Sequence, residues 1–131
     1  MARVTKACSV CDGVVTFTFG TMSRHGELYW GGGERCNKCS HALEIDGRSA
    51  PDDLRQVEID QDGSYGLKCS TGGKSSQLYK IIRKYFDLSI SDIRQRSDNS
   101  DCILFEGIKG EVDQIKYHAD IEGLSCEVVR L

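Results

Sequence analysis

Apolar and polar residues alternate along Val14-Val15-Thr16-Phe17-Thr18-Phe19, and the enrichment in β-branched and aromatic types predicts a strand with one face inward. Gly20-Thr21-Met22-Ser23-Arg24-His25-Gly26 predicts a turn, and Glu27-Leu28-Tyr29-Trp30 a returning strand. Gly31-Gly32-Gly33 then lets the backbone swing tightly without a side-chain clash. His41-Ala42-Leu43-Glu44-Ile45 predicts a third strand, ended by the turn dipeptide Asp46-Gly47. Pro51, the only proline, is followed by Asp52 and Asp53, which suit the positive end of a helix dipole. A short helix or structured linker is expected there, ending before Asp60-Gln61-Asp62-Gly63.

The pattern changes from Ser64 onward. Tyr65-Gly66-Leu67-Lys68-Cys69 predicts a strand and Ser70-Thr71-Gly72-Gly73-Lys74 a loop. Leu78, Ile81, Ile82, Tyr85 and Phe86 recur at helical spacing and form an apolar stripe, with Lys80, Arg83 and Lys84 off it. Ser89 is placed to cap a second short helix with Ile90 and Ile93 inward. Cys102-Ile103-Leu104-Phe105 predicts a buried strand, and Glu111 to Glu122 a third helix with Val112, Ile115 and Ala119 inward and Gly123 as its stop. Leu124 to Leu131 closes as a strand. The expected class is α+β. Residues 1–50 form a β-rich module, 51–62 a short helix or acidic linker, and 63–131 a β-α-α-β-α-β domain.

Two cysteine pairs change the picture of the first module. Cys8 and Cys11, then Cys36 and Cys39, are each C-x-x-C, a spacing that turns both thiolates toward one tetrahedral metal. The hairpin predicted between the pairs makes this the layout of a zinc ribbon, with one structural zinc expected. A module of this size has too little apolar area for a conventional core, so metal ligation must contribute folding energy. His41 is a substitute ligand by position, but four cysteines already complete a closed structural site.

The net charge is -3, unevenly distributed. Glu44, Asp46, Asp52, Asp53, Glu58, Asp60 and Asp62 crowd the segment 42–63 against only Arg48 and Arg55. This acidic middle would repel a polyanion, so nucleic acid is a disfavoured partner. No apolar run approaches the ~18 residues of a membrane span, and Met1-Ala2-Arg3-Val4 lacks the layout of an export signal. A soluble protein of a reducing cytoplasm is expected. Cys69, Cys102 and Cys126 are then small core residues of strands rather than disulfide partners.

The order strand, helix, helix, strand, helix, strand resembles the C-terminal domain of the bacterial ribosomal stalk protein over about half of the chain. The local anchors are Leu78-Tyr79-Lys80-Ile81-Ile82-Arg83, Leu88-Ser89-Ile90, Glu106-Gly107-Ile108 and Glu122-Gly123-Leu124-Ser125-Cys126-Glu127-Val128. The resemblance implies a first helix that docks translation factors, with Lys80 and Arg83 where basic contacts would fall; the adaptor of the Clp protease uses the same fold. The turn Asp87-Leu88-Ser89-Ile90-Ser91 departs from the family's Gly-rich one, and a zinc ribbon stands where its dimerisation segment would be. Fold transfers more safely than function.

No catalytic constellation emerges. Gly73-Lys74-Ser75 lacks the first glycine of a phosphate loop, because Lys68 occupies that place. His25 and His118 have no sequence-evident nucleophile or carboxylate partner. The expectation is a non-enzymatic protein-interaction module, an adaptor or inhibitor, docking another protein through Lys80, Arg83 and Lys84 or through Glu44, Asp46, Asp52, Asp53 and Glu58. One concrete variant is an immunity protein whose acidic surface neutralises a toxin. The alternative is single-stranded nucleic-acid binding by Arg24, Arg35 and Lys38 around Tyr29 and Trp30.

Overall fold

The computed structural model describes residues 1–70, 75–86 and 103–131. It is an α+β structure with two antiparallel sheets. The first runs in the order β1 (Ala2–Ala7), β2 (Val14–Arg24), β3 (Glu27–Cys36) and β4 (Ala42–Gly47). Helix α1 spans Asp52–Asp62, and β5 (Tyr65–Ser70) opens the second sheet. Helix α2 (Ser75–Tyr85), β6 (Ile103–Gly107), α3 (Lys109–Ile121) and β7 (Ser125–Arg130) follow, with β5 between β6 and β7. Ser70, expected to open a loop over 70–74, ends β5 instead; positions 71–74, the second short helix with Ser89, Ile90 and Ile93, and Cys102 lie outside the described residues. No described helix is long and apolar enough to cross a membrane.

The register of β2 on β3 corrects two expectations. Thr21 pairs with Trp30, Met22 with Tyr29 and Arg24 with Glu27, so the hairpin continues through the residues expected to turn. Only His25 and Gly26 make the reversal, both with positive φ, 52° and 77°. The three glycines likewise lie inside β3 rather than at a swing of the chain. Phe17 stacks on Phe19, their centroids 5.2 Å apart, and the Phe17 ring and the Phe19 Cβ cover the backbone at Gly32. A Cβ on Gly32 would stand 2.8 Å from the Phe17 ring, so the missing side chain is what admits the aromatic pair. Helix α1 closes this face with Leu54 and Val57, and Ala50 just before it adds to them, against Ala2, Phe17, Phe19 and Trp30.

Strand β1 was not anticipated. Its Ala2 and Val4 join that aromatic cluster while Arg3 and Thr5 are exposed, an alternation present in the sequence. Helix α1 also runs one turn further than expected, through Asp62 to Gly63, whose φ of 91° suits a glycine.

The second core gathers Leu67, Leu78, Ile82, Phe105, Val112, Ile115, Ala119 and Leu124. Val112, Ile115 and Ala119 are fully buried, as the helical spacing of α3 predicts. Lys80, Arg83 and Lys84 are exposed on α2. Cys69 and Cys126 correct a further expectation. They face each other across β5 and β7, Cα atoms 4.1 Å apart, and are joined as a disulfide rather than held as separate core thiols.

Helices α1 and α3 connect the two sheets. Arg55 of α1 forms a two-pronged pair with the buried Glu111 of α3, at 2.9 and 2.8 Å. Glu111 Oε1 also accepts from the Ile108 N–H at 3.1 Å, capping α3. The Arg55 guanidinium is raised above its ordinary value by this hydrogen-bonded carboxylate, against the opposing effect of burial. At the hairpin tip, His118 Nε2 and Gln114 Nε2 lie 2.9 and 3.2 Å from the Gly26 carbonyl. Gly110 begins α3 directly against β2, where an added Cβ would stand 2.7 Å from the Thr21 carbonyl oxygen.

Candidate metal centre

The cysteine pairs sit at facing ends of the β1–β2 and β3–β4 connections, because β2 and β3 align Val15 with Cys36. Backbone hydrogen bonds tighten each knuckle: Cys8 N–H donates to the Gly13 carbonyl, and Cys36 N–H to that of His41. Gly13 lies between the knuckles, where a Cβ would stand 2.9 Å from Cys36 Sγ.

The sulfurs of Cys8, Cys11, Cys36 and Cys39 all lie within 4.8 Å of one another. Across the pairs, Cys8 Sγ is 3.7 Å from Cys39 Sγ, and Cys11 Sγ is 3.4 Å from Cys36 Sγ. A tetrahedral ion with metal–sulfur bonds of ~2.3 Å places its sulfurs ~3.8 Å apart, so the observed spacing fits. The four cysteines can therefore hold a metal ion.

Thiolates around a divalent cation retain surplus negative charge, and the backbone is arranged to offset it. Val10 N–H donates to Cys8 Sγ and Gly13 N–H to Cys11 Sγ, at 3.4 and 3.2 Å. Lys38 and Cys39 N–H both donate to Cys36 Sγ, and His41 N–H to Cys39 Sγ, each at 3.4 Å. The Cys39 and Lys38 amides bring the Cys36 thiol down to about 6. The Gly13 amide acts the same way on Cys11, but its thiol neighbours, Cys36 foremost, together with burial push it up to about 12. Without a cation, the closely placed sulfurs cannot all ionise, which is the electrostatic demand a metal would meet.

His41 does not enter the sulfur cluster. Its Nε2 is 3.2 Å from the buried carboxylate of Glu34, which also receives Lys6 Nζ at 2.6 Å. Lys6 and then His41 hold the Glu34 carboxyl below its ordinary value. Glu34 is buried because it shares the inward parity of Trp30 and Gly32 on β3, which the hairpin register sets.

The remaining candidate residues are scattered. Glu44 and Asp46 are exposed on β4, and Asp52 and Asp53 are exposed in the first turn of α1. Glu58 is buried: its carboxylate accepts from Thr21 N–H at 2.8 Å and Thr21 Oγ1 at 2.9 Å, which attaches α1 to β2. Tyr29 and Trp30 point to opposite faces, as neighbours in a strand must. Trp30 is buried among Phe17 and Phe19, whereas Tyr29 is exposed with Arg48 5.6 Å from its ring centre. The aromatic platform near Arg24, Arg35 and Lys38 is thus reduced to Tyr29.

Comparison of the chain with family models, with curated proteins and with solved structures finds no match.

Proposed function

We propose that this protein is a non-catalytic zinc-binding module that docks another protein. The observation that carries the metal half is the four-sulfur cluster with its inward-pointing amides, a thiolate set typical of zinc. Four protein ligands close such a site, so its role is to fold the ribbon rather than to activate water. The docking half is supported by the charged side chains exposed on β4, α1 and α2. Glu44, Asp46, Asp52 and Asp53 are exposed near one another in sequence, and Lys80, Arg83 and Lys84 give α2 a face of opposite charge. Complementary charge of this kind favours encounter with a charged protein partner. The ribosomal-stalk-like reading of residues 63–131 belongs to the same proposal, with α2 as the docking helix.

Metal analysis of freshly purified protein, followed by affinity capture with and without nuclease, tests both halves. One zinc per chain and a stoichiometric protein that survives nuclease are expected. Zinc-free folded protein would overturn the first half, and capture abolished by nuclease would overturn the second in favour of single strands on Tyr29.

A further inference from the structure

The two edges of the ribbon sheet are treated differently. At the β1 edge, Arg3 N–H donates to Gln61 Oε1 at 2.8 Å, and Gln61 Nε2 donates to the Arg3 carbonyl at 2.7 Å. One side chain of α1 therefore occupies both backbone groups of Arg3, which closes that edge to a further strand there. Among the described residues, strand β4 is hydrogen-bonded to β3 alone, and it is exposed at all six positions. Among the described residues, nothing pairs with the alternate N–H and C=O groups along its outer side.

The side chains of β4 are sorted by face. Leu43 and Ile45, paired with Glu34 and Gly32, share the face of the aromatic cluster yet are 47% and 37% exposed. Helix α1 packs over the β1 side of that face. Glu44 and Asp46 share the other face, paired with Gly33 and Gly31. Beside them Thr16, Thr18, Met22, Gly31, Gly33 and Arg35 line a groove of about 940 Å³, kept open where Gly31 and Gly33 carry no side chain. None of the ion pairs among the described residues involves Glu44 or Asp46.

We infer that β4 accepts an extended segment of a partner protein as an added strand, one alternating basic and aliphatic residues. The inference rests on the protein-docking reading above and names the partner's chemistry. Aliphatic positions of the incoming strand cover Leu43 and Ile45, and basic positions stand beside Glu44 and Asp46, with the groove taking their long stems. A second copy is not the occupant, because antiparallel pairing of two β4 strands sets acids against acids. The same acids keep the open edge from self-association while admitting a cationic strand.

The test uses the full, metal-loaded chain and a capped peptide alternating lysine and valine. Its controls are the glutamate–valine counterpart and a lysine–valine peptide with alternate amides N-methylated on one edge. Fluorescence anisotropy should show binding of the lysine–valine peptide, with amide shifts and slowed exchange confined to Ala42–Gly47. N-methylation should weaken it by about ten-fold or more, as the loss of several backbone bonds requires. The Glu44→Lys/Asp46→Lys double variant should reverse the preference toward the glutamate–valine peptide. Absence of binding at millimolar peptide, or binding indifferent to N-methylation, would overturn the added-strand inference. So would concentration-dependent dimerisation through β4. Shifts on α2 around Lys80 and Arg83 instead would overturn it while leaving the protein-docking reading intact, which fails only if capture depends on nucleic acid.

Discussion

Replacing Glu111 by glutamine tests whether helices α1 and α3 bind the two sheets into one cooperative body. The carboxylate is buried and receives three donors: Arg55 Nε at 2.9 Å, Arg55 Nη2 at 2.8 Å and the Ile108 amide at 3.1 Å. Glutamine keeps an oxygen for the Ile108 cap and one contact to Arg55, but loses the charge and the two-pronged geometry. Breaking a fully buried ion pair costs ~3–5 kcal/mol. Here the Arg55 side chain is 36% exposed, so water can resolvate the stranded guanidinium. The expected loss for Glu111→Gln is therefore about 2 kcal/mol, near one charge-assisted hydrogen bond. Glu111→Ala also removes the cap and should cost about 1 kcal/mol more. Urea unfolding should be followed by helical ellipticity, which reports α1, α2 and α3 together, and by fluorescence of Trp30, the only tryptophan, in the core of the first sheet. A cycle with Arg55→Gln should return a coupling of roughly 1 kcal/mol or more. In the wild type the two probes should trace one transition. Separate wild-type transitions, or a coupling near zero, would refute the bracketing role assigned to this pair.

The proposed metal makes a second test: chelation or Cys36→Ser should abolish the Trp30 burial in the first sheet, while α2 and α3 retain their helicity because the core around Leu67, Ile82 and Ile115 includes none of the four clustered cysteines. The β3 glycines should divide sharply. Gly32→Ala forces a Cβ into the Phe17 ring and should destabilise by about 1–3 kcal/mol in thermal unfolding, whereas Gly33→Ala, with only ordinary contact to the Leu43 carbonyl, should be neutral or slightly stabilising. Peptide mapping under non-reducing conditions should recover Cys69 linked to Cys126. Since that link closes a separation of 57 residues, its reduction should lower stability by about 4 kcal/mol on the loop-entropy account; a midpoint unmoved by reductant would show that it does not constrain the unfolded chain.

Local order was largely legible from residues near one another in sequence. C-x-x-C spacing fixes a knuckle within a few residues, and the recurrence of Leu78, Ile82, Val112, Ile115 and Ala119 follows from helix geometry alone, so cysteine cluster and helix faces could be read directly. Alternation in Val14–Phe19 likewise announced β2. The same signal in Ala2–Ala7 was present but weak, since only Val4 and Thr5 are strand formers there and the inward Ala2 is small. What the tertiary structure decided concerns pairs far apart along the chain. Arg55 meets Glu111, Thr21 meets Glu58, Arg3 meets Gln61 and Cys69 meets Cys126 only after strand order and register are set. Which of Tyr29 and Trp30 faces the core depends on the parity of β3, and parity is invisible until the hairpin's reversal is located at His25 and Gly26. One residue of slip would exchange the two faces. The choice is made by burying Trp30 against Phe17 and Phe19 under α1, an energy of association between elements that no local pattern contains.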